Sequence, residues 1–149
     1  LGVKAPAWQD VAGSIARVLQ LVDRGSVAVE DECGGLLVYA DPMFEKAIYC
    51  LIENALVHGK TLTRIRIHGE RTSTGYLLMV ENDGESIPAD QKEKIFTRKV
   101  GKEGGIGLFL TREVLSITGM TIEETAAPGE GVRFEIAIPA GKYRMYVPE

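Results

Sequence analysis

The chain has 149 residues, a hydrophobic fraction of 45% and a formal net charge of −4 at pH 7. A chain of this length is typical of one domain with a single core, so we assign residues 1–149 to one domain. The small negative charge, without a basic stripe, argues against a nucleic-acid surface, and no apolar run could span a bilayer. We therefore expect no nucleic-acid partner and no direct membrane contact.

The first part of the chain predicts a helix, two strands and a second helix. Apolar residues recur at helical spacing in WQDVAGSIARVLQLV. The short extended segments SVAVE and GLLVYA are separated by DECGG, and we interpret them as a hairpin. Asp41 as N-cap and Pro42 in the first turn then begin the most regular helix, with an apolar stripe from Phe44 to Leu56.

The second part predicts three more strands and a third long helix. TRIRIHG and YLLMVE are strands, a short helix covers ADQKEKIF, and IGLFLTREVLSIT is helical until Gly119. GVRFEIAIP alternates cleanly as the last strand. This order predicts a two-layer α/β sandwich, in which about five strands form one mixed sheet and about three main helices cover one face. The other face is expected to be partly polar, because Arg64, Arg66, Arg133 and Glu135 point there.

The two cysteines indicate the redox environment of the protein. Cys33 and Cys50 form no CxxC pair, which argues against a disulfide framework and against a zinc site. A reducing, cytoplasmic compartment is expected. The chain begins at Leu1 without an initiator methionine, and we interpret it as a piece of a longer protein.

Asn54 is a candidate metal ligand. It falls at the margin of the apolar stripe of the long helix, so its side chain is expected to face the edge of the sheet. An amide oxygen is a neutral ligand that Mg²⁺ accepts when phosphates supply the remaining charge. The alternative is an amide that bonds to a nearby loop backbone, as most buried amides do. Asn54 by itself does not decide between them.

The stretch GKEGGIGLFL is a candidate phosphate site. Gly105 and Gly107 let backbone N–H groups approach an anion at the start of a helix, and Lys99 and Lys102 would add charge. The stretch matches neither GxxxxGK[ST] nor GxGxxG. A mobile helix N-terminus without a ligand is an equal alternative at this point.

Five ordered motifs together point to a family. LIENALVHG, VENDGESIP, IFTRK, GGIGLFLTREVL and GEGVRFEIAIP resemble the boxes of the GHKL (HATPase_c) ATP-binding superfamily. The set most resembles the catalytic and ATP-binding domain of sensor histidine kinases, particularly those of archaeal type. The likeness covers nearly the whole chain.

The resemblance implies a nucleotide site with ATP and Mg²⁺ as cofactors. Asn54 matches the amide that coordinates Mg²⁺ on the ATP phosphates, and it is the residue expected to be catalytic. Asn82 stands where the family has an acid that accepts a hydrogen bond from the adenine amino group. The other matched nucleotide positions are His58, Gly84, Ser86, Ile87, Phe96, Lys99, Lys102, Gly105, Gly107 and Leu108. For Phe96 and Leu108, simple core packing is an equal alternative.

Several residues depart from the family pattern. Asn82 is an amide in place of a carboxylate, and Ser86 replaces a glycine. The change at Asn82 turns a charge-assisted hydrogen bond into a neutral one, a loss of about 1 to 2 kcal/mol. We therefore expect weak ATP binding, with Asp83 as a candidate to compensate. Val57 stands where a lysine is common and Val132 where a threonine is frequent.

Cys50 distinguishes the branches of the superfamily. The chaperone, topoisomerase and anti-sigma-factor branches place a glutamate one helical turn before the metal-binding amide, where it activates the nucleophile. Here that position is Cys50, and Glu53 points about 100° away around the helix. Activation of water is thus unsupported, and the histidine-kinase branch is preferred.

The resemblance also implies partners. The γ-phosphoryl group would pass to a phosphoacceptor histidine on a separate dimerisation domain and then to a response regulator, because neither His58 nor His68 lies in such a motif. A missing N-terminal helical hairpin would carry that histidine and contact the loop from Phe96 to Gly104. The isolated fragment would be monomeric and the whole kinase a homodimer, either soluble or attached to a membrane. The alternative is a docking or regulatory module that has lost the nucleotide, which Asn82, Ser86 and Val57 favour.

Overall fold

The computed structural model describes residues 4–97 and 107–146. These residues form eight strands, three α-helices and two short 3₁₀ helices, Ala89–Gln91 and Lys94–Phe96. The strands and α-helices in chain order are β1 (Ala7–Asp10), α1 (Val11–Leu21), β2 (Ala28–Asp31), β3 (Leu36–Ala40), α2 (Phe44–His58), β4 (Arg64–Thr72), β5 (Gly75–Asn82), α3 (Gly107–Ser116), β6 (Thr121–Glu124), β7 (Val132–Pro139) and β8 (Tyr143–Met145).

The predicted mixed sheet is confirmed. Its five strands lie in the order β2-β4-β5-β7-β6, with β2 parallel to β4 and the other pairs antiparallel. Alternate residues of β4, β5 and β7, such as Ile65, Leu78 and Phe134, are buried in one core with Ile15 of α1 and Leu51 of α2. One face of the sheet is thus covered by helices, and the chain is the two-layer α/β sandwich that the sequence predicts.

The opposite face of this sheet is polar, also as predicted. Arg64 pairs with Glu30 at 2.7 Å, and Arg66 pairs with Glu32 at 2.8 Å. Each pair joins β4 to β2 or to the residue just beyond it. Because these side chains are well exposed, the pairs contribute little stability, but they favour the parallel register of β2 on β4.

The predicted hairpin between β2 and β3 is wrong. β2 forms the edge of the large sheet beside β4, whereas β3 lies between β1 and β8 in a separate three-stranded sheet. In the connection between them, Asp31 accepts a hydrogen bond from the backbone N–H of Cys33 at 2.8 Å, and Cys33 is buried in the core. Two adjacent extended segments in a sequence do not show whether their partners are local.

The first helix starts later than the pattern predicts. Residues 7–10 form β1, antiparallel to β3, and α1 begins at Val11. The Gln9 side chain donates to the backbone oxygens of Ala40 and Asp41, both at 2.9 Å, and ties β1 to the end of β3. The apolar residues of α1 keep the helical spacing that was predicted.

Smaller differences concern the ends of elements. α2 has Met43 as its N-cap, while the carboxylate of Asp41 accepts from the Met43 N–H at 2.8 Å in the preceding turn. The segment ADQKEKIF forms two 3₁₀ helices rather than one helix. The chain reverses at Gly119, which has φ of +81°, as the C-terminal stop predicts. Strands β6 and β8 were not predicted because each is short.

Candidate functional site

A cavity of about 540 Å³ opens where α2 meets the N-terminus of α3. Its described lining is Cys50, Glu53, Asn54, Val57, His58, Gly107 and Leu108. The structure therefore brings together four of the expected nucleotide residues, Asn54 and His58 from α2 and Gly107 and Leu108 from α3.

Asn54 reaches the cavity because of its position on α2. Leu51, Ile52 and Ala55 are buried against the sheet, and Asn54 is half-buried at the margin of that face. Gly107 lies across from this helix, and a Cβ there would stand 3.6 Å from the Sγ of Cys50. The cavity thus has an amide on one wall and the first turn of a ten-residue helix on the other.

Glu53 also lines the cavity, which the helical offset did not predict. The opening extends around the exposed side of α2, so residues about 100° apart on the helix both reach it. The Glu53 carboxylate accepts a hydrogen bond from the Tyr49 hydroxyl at 2.6 Å. This hydrogen bond and the charge of Glu53 raise the pKa of Tyr49, so the hydroxyl stays protonated and remains a donor.

Cys50 forms an uncharged part of the cavity wall. Its burial raises the pKa of the thiol above the ordinary value, although the nearby Lys46 opposes the shift. The side chain therefore remains a thiol at neutral pH. Burial also raises the pKa of Cys33 to about 12, so this second thiol in the core stays protonated as well.

The end of β5 forms a tight turn beside the end of α2. The Asn82 side-chain oxygen accepts a hydrogen bond from the Gly84 N–H at 2.8 Å. A Cβ on Gly84 would stand 2.9 Å from that oxygen and 3.1 Å from the Cα of Gly59, the residue that follows α2. A side chain at position 84 would therefore push this turn away from the helix, which explains the glycine.

Asp83 joins the turn after β5 to the start of β4. Its carboxylate accepts hydrogen bonds from the backbone N–H groups of Thr63 at 2.8 Å and Arg64 at 3.0 Å, and from the Thr63 hydroxyl. Partial burial opposes ionisation, but these hydrogen bonds outweigh it and hold the pKa of Asp83 below its ordinary value. The side chain fixes the start of β4, and Asp83 also lines an opening beside Gly84.

Ser86 lines a second opening of about 570 Å³. Its hydroxyl accepts from the Gly131 N–H at 3.1 Å, and Gly84, Ser86, Gly129 and Gly131 all line this opening. Gly131 has φ of +77°, and a Cβ there would stand 2.1 Å from the Asn82 backbone oxygen. Ile87, also expected near a nucleotide, packs on the edge of the core.

Phe96 is part of the core. It is 2% exposed, its ring meets that of Phe134 edge-on at 6.0 Å, and the Arg112 guanidinium lies 4.1 Å from its ring centre. Of the two alternatives for Phe96, core packing or ligand contact, the structure thus shows core packing. Leu108 is also buried, but it lines the cavity as well. The expected site residues Lys99, Lys102 and Gly105 lie outside the described residues, as does most of the loop from Phe96 to Gly104.

Some residues that hold the segments beside β5 in place carry no motif signal. Thr63 acts through its backbone and hydroxyl, and Lys92 pairs with Glu124 across 32 residues of sequence. Only a structure could identify such long-range partners. Glu53 lines the cavity although its offset of about 100° from Asn54 argued against it, and the sequence singled out Val57 only as a departure from the family pattern.

The described residues contain neither a metal-binding cluster of His, Cys, Asp or Glu nor a membrane-spanning helix. In residues 4–97 and 107–146, no three His, Cys, Asp or Glu side chains are grouped so that they could hold a metal ion. Among the helices of the same ranges, none combines the length and apolarity needed to cross a bilayer.

The fold is shared with known sensor-kinase domains. A mycobacterial sensor histidine kinase, MprB, is 20% identical to this chain and superposes with a TM-score of 0.77. The superposition covers 91% of this chain and 97% of the MprB chain. The nucleotide-free catalytic domain of histidine kinase ThkA is 26% identical to this chain and superposes with a TM-score of 0.73. The superposition covers 91% of this chain and 98% of the ThkA domain. This chain therefore has the size and fold of a histidine-kinase catalytic domain.

Sequence comparison identifies the family. Residues 41–142 match the family of histidine kinase-, DNA gyrase B- and HSP90-like ATPases, and the chain belongs to that family. The alginate biosynthesis sensor protein KinB of Pseudomonas aeruginosa is 35% identical over 100 residues, 64% of this chain and 17% of KinB. The sensor protein KdpD of Escherichia coli is 28% identical over 111 residues, 69% of this chain and 12% of KdpD. The chain thus spans less than a fifth of these relatives, and the expected likeness to archaeal kinases remains a prediction.

Proposed function

We propose that this chain binds Mg²⁺–ATP and donates the γ-phosphoryl group to a histidine on a separate dimerisation domain, as part of two-component signal transduction. The observation that carries the proposal is the cavity that joins Asn54 of α2 to Gly107 and Leu108 of α3. Family membership supports nucleotide binding, and this cavity supplies a place for it.

The residues present fit such a ligand. Asn54 offers a neutral oxygen, and the start of α3 offers backbone N–H groups with the positive end of the helix dipole. No acidic cluster for a metal is found in the described parts of the chain, so Mg²⁺ would depend on Asn54 and on phosphate oxygens. When bound, Mg²⁺–ATP supplies the phosphoryl group and neutralises part of its charge. The protein's contribution is to position and orient it.

The acceptor belongs to another domain. His58 is exposed on the cavity wall, and His68 lies on the outer face of the sheet, where its ring nitrogen meets Glu81 at 2.5 Å. Neither forms part of an exposed acidic helix. A dimerisation domain of the same kinase would carry the phosphoacceptor, the whole kinase would be a homodimer in the cytoplasm, and a response regulator would act downstream.

Calorimetric titration tests nucleotide binding. A non-hydrolysable ATP analogue should bind more tightly with Mg²⁺ than without it, and Asn54→Ala should remove most of that difference. Gln20→Ala is a matched control, because Gln20 is an exposed amide on α1, away from the cavity. If millimolar analogue gave neither heat nor a thermal shift, the alternative docking module without nucleotide would be favoured.

Labelled phosphate tests the transfer step. ATP labelled at the γ-phosphate, incubated with this chain and a supplied dimerisation domain, should label the dimerisation domain with an acid-labile, base-stable phosphate. This chain should stay unlabelled. Labelling of this chain alone would contradict the division between the two domains.

A further inference from the structure

The small sheet of β1, β3 and β8 has two different faces. Leu36, Val38 and Ala40 of β3 are buried against the core. The alternate residues of these strands therefore point outward. Among them, Trp8 of β1 and Tyr39 of β3 lie directly opposite each other, with ring centres 5.4 Å apart. Both rings are half-buried, so the outer face is a shallow aromatic surface.

Two cations from the end of the chain lie on these rings. The Nζ of Lys142 is 5.0 Å from the ring centre of Tyr39, and the Cζ of Arg144 is 3.9 Å from the ring centre of Trp8. Arg144 of β8 is opposite Leu37 of β3, so its side chain reaches across β3 to the ring on β1. Stacking on an aromatic ring holds a guanidinium in place and leaves its N–H groups available at the edge. We call Trp8, Tyr39, Lys142 and Arg144 the basic aromatic patch.

No carboxylate neutralises the patch within the described parts of the chain. In residues 4–97 and 107–146, the side chains of Lys142 and Arg144 make no hydrogen bond and no ion pair. The three strands contain one acid, Asp10, and its Oδ2 lies 3.0 Å from where a Cβ on Gly13 would stand, beside the first turn of α1. On the large sheet, by contrast, the outward arginines of β4 pair with glutamates. The patch thus presents positive charge on a chain with a net charge of −4.

We propose that the basic aromatic patch binds an acidic segment of a partner protein. Carboxylates of that segment would accept from the N–H groups of Arg144 and Lys142, which makes charge-assisted hydrogen bonds. Trp, Tyr and Arg are the residues enriched at the centres of protein interfaces. The two rings are 5.4 Å apart, and acidic residues one helical turn apart have a similar spacing of about 5–6 Å. A helix with acids at that spacing therefore fits both cations.

Other occupants fit the patch less well. A second copy of the chain that used the same face would bring like charges together. Two cations neutralise too few phosphates for nucleic acid, and at a membrane surface they would contribute only about 2 kcal/mol. The faces of both rings are already covered by cations, so little apolar area is left to enter a bilayer.

The patch is separate from the cavity between α2 and α3. None of the residues that line that cavity belongs to β1, β3 or β8. A partner on the patch would leave the cavity open, so the inference goes beyond the proposed function and does not depend on it. Substitutions in the patch should leave the affinity for the ATP analogue unchanged.

The fluorescence of Trp8 tests the proposal, because Trp8 is the only tryptophan in the chain. The probe is a short helical peptide with glutamates one helical turn apart, and its control carries glutamine at the same positions. Titration of the glutamate peptide should change the Trp8 emission. We expect it to bind about tenfold more tightly than the glutamine peptide, and the difference should shrink at high salt.

Paired substitutions show which cations are responsible. The double variant Lys142→Gln with Arg144→Gln should bind the glutamate peptide about tenfold more weakly. The matched control is Arg24→Gln with Arg71→Gln, which removes the same charge from two exposed residues outside the small sheet and should bind as the unmodified chain does. An equal loss of affinity in both double variants would overturn the assignment to the patch.

Further outcomes would contradict the partner class. Equal binding of the glutamate and glutamine peptides by the unmodified chain, or no change in Trp8 emission with either, overturns the proposal. A change in Trp8 emission with vesicles of equal parts phosphatidylcholine and phosphatidylserine, or with a DNA duplex, but not with the glutamate peptide, also overturns it. These comparisons use the unmodified chain, so they decide the question even if a variant fails to fold.

Discussion

Lys92 and Glu124 form an ion pair that joins the segment after the turn at Pro88 to strand β6. The Glu124 side chain has 0% exposure, and its second oxygen accepts from the backbone N–H groups of Arg133 at 2.9 Å and Ala126 at 3.2 Å. Lys92 also donates to the Ala126 carbonyl at 2.8 Å. The pair thus fixes the chain between the end of β5 and Phe96.

Removal of Lys92 should destabilise the fold strongly. Lys92→Met leaves Glu124 buried without its cation, and the expected loss is about 3 kcal/mol of unfolding free energy. Urea denaturation followed by circular dichroism measures it. Lys94→Met is the matched control, because Lys94 is exposed and should change stability by less than about 0.5 kcal/mol. Equal stabilities of the two variants would show that the pair contributes little.

The carboxylate of Asp83 should make stability depend on pH. Its pKa is lowered in the folded state, so its contribution is fully present above the unfolded pKa of about 3.9 and is lost as pH falls through the lower folded value. Asp83→Asn should cost about 1 kcal/mol at pH 7, because the site is exposed and solvent weakens the interaction. The difference from the unmodified chain should shrink in acid. A difference that stays constant from pH 7 to the acid range would contradict this assignment.

Two glycines of the turn before β7 form a matched pair. Gly129 and Gly131 have φ of +80° and +77°, but a Cβ meets nothing within 4 Å at Gly129 and stands 2.1 Å from the Asn82 backbone oxygen at Gly131. Gly129→Ala should cost about 1 kcal/mol from backbone strain alone. Gly131→Ala should cost clearly more and should also weaken nucleotide binding, because it displaces the end of β5. Thermal unfolding and the calorimetric titration compare the two, and equal losses would argue against this contact.

A substitution at Gly107 should affect nucleotide binding without affecting folding. A Cβ there makes ordinary contact with the Sγ of Cys50 at 3.6 Å, and Gly107 is the first residue of α3 rather than an interior one, so Gly107→Ala should fold normally with little change in stability. If phosphates approach the start of α3, the same methyl group should weaken nucleotide binding severalfold. Unchanged affinity in a stable variant would mean that the ligand does not reach this backbone.

Much of the layered fold could be predicted from local patterns. The alternation in β7 and the apolar stripe of α2 each identify a buried face, because side-chain direction repeats every two residues in a strand and every 3.6 in a helix. The partners of β2 and β3 could not be predicted in this way. A short extended segment fits several edges equally well, and the choice depends on contacts distant in sequence.

For the site, the sequence alone identified the candidate residues: an amide on a helix, an amide in place of an acid at a strand end, and glycines at a helix start. Only the tertiary structure decided the partners of Asp83, Phe96 and Asn82. Asp83 is held by Thr63, Phe96 lies in the core, and the Asn82 oxygen faces Gly84. The physical reason is that a polar atom's role depends on which partner satisfies it, and those partners are brought together only by folding.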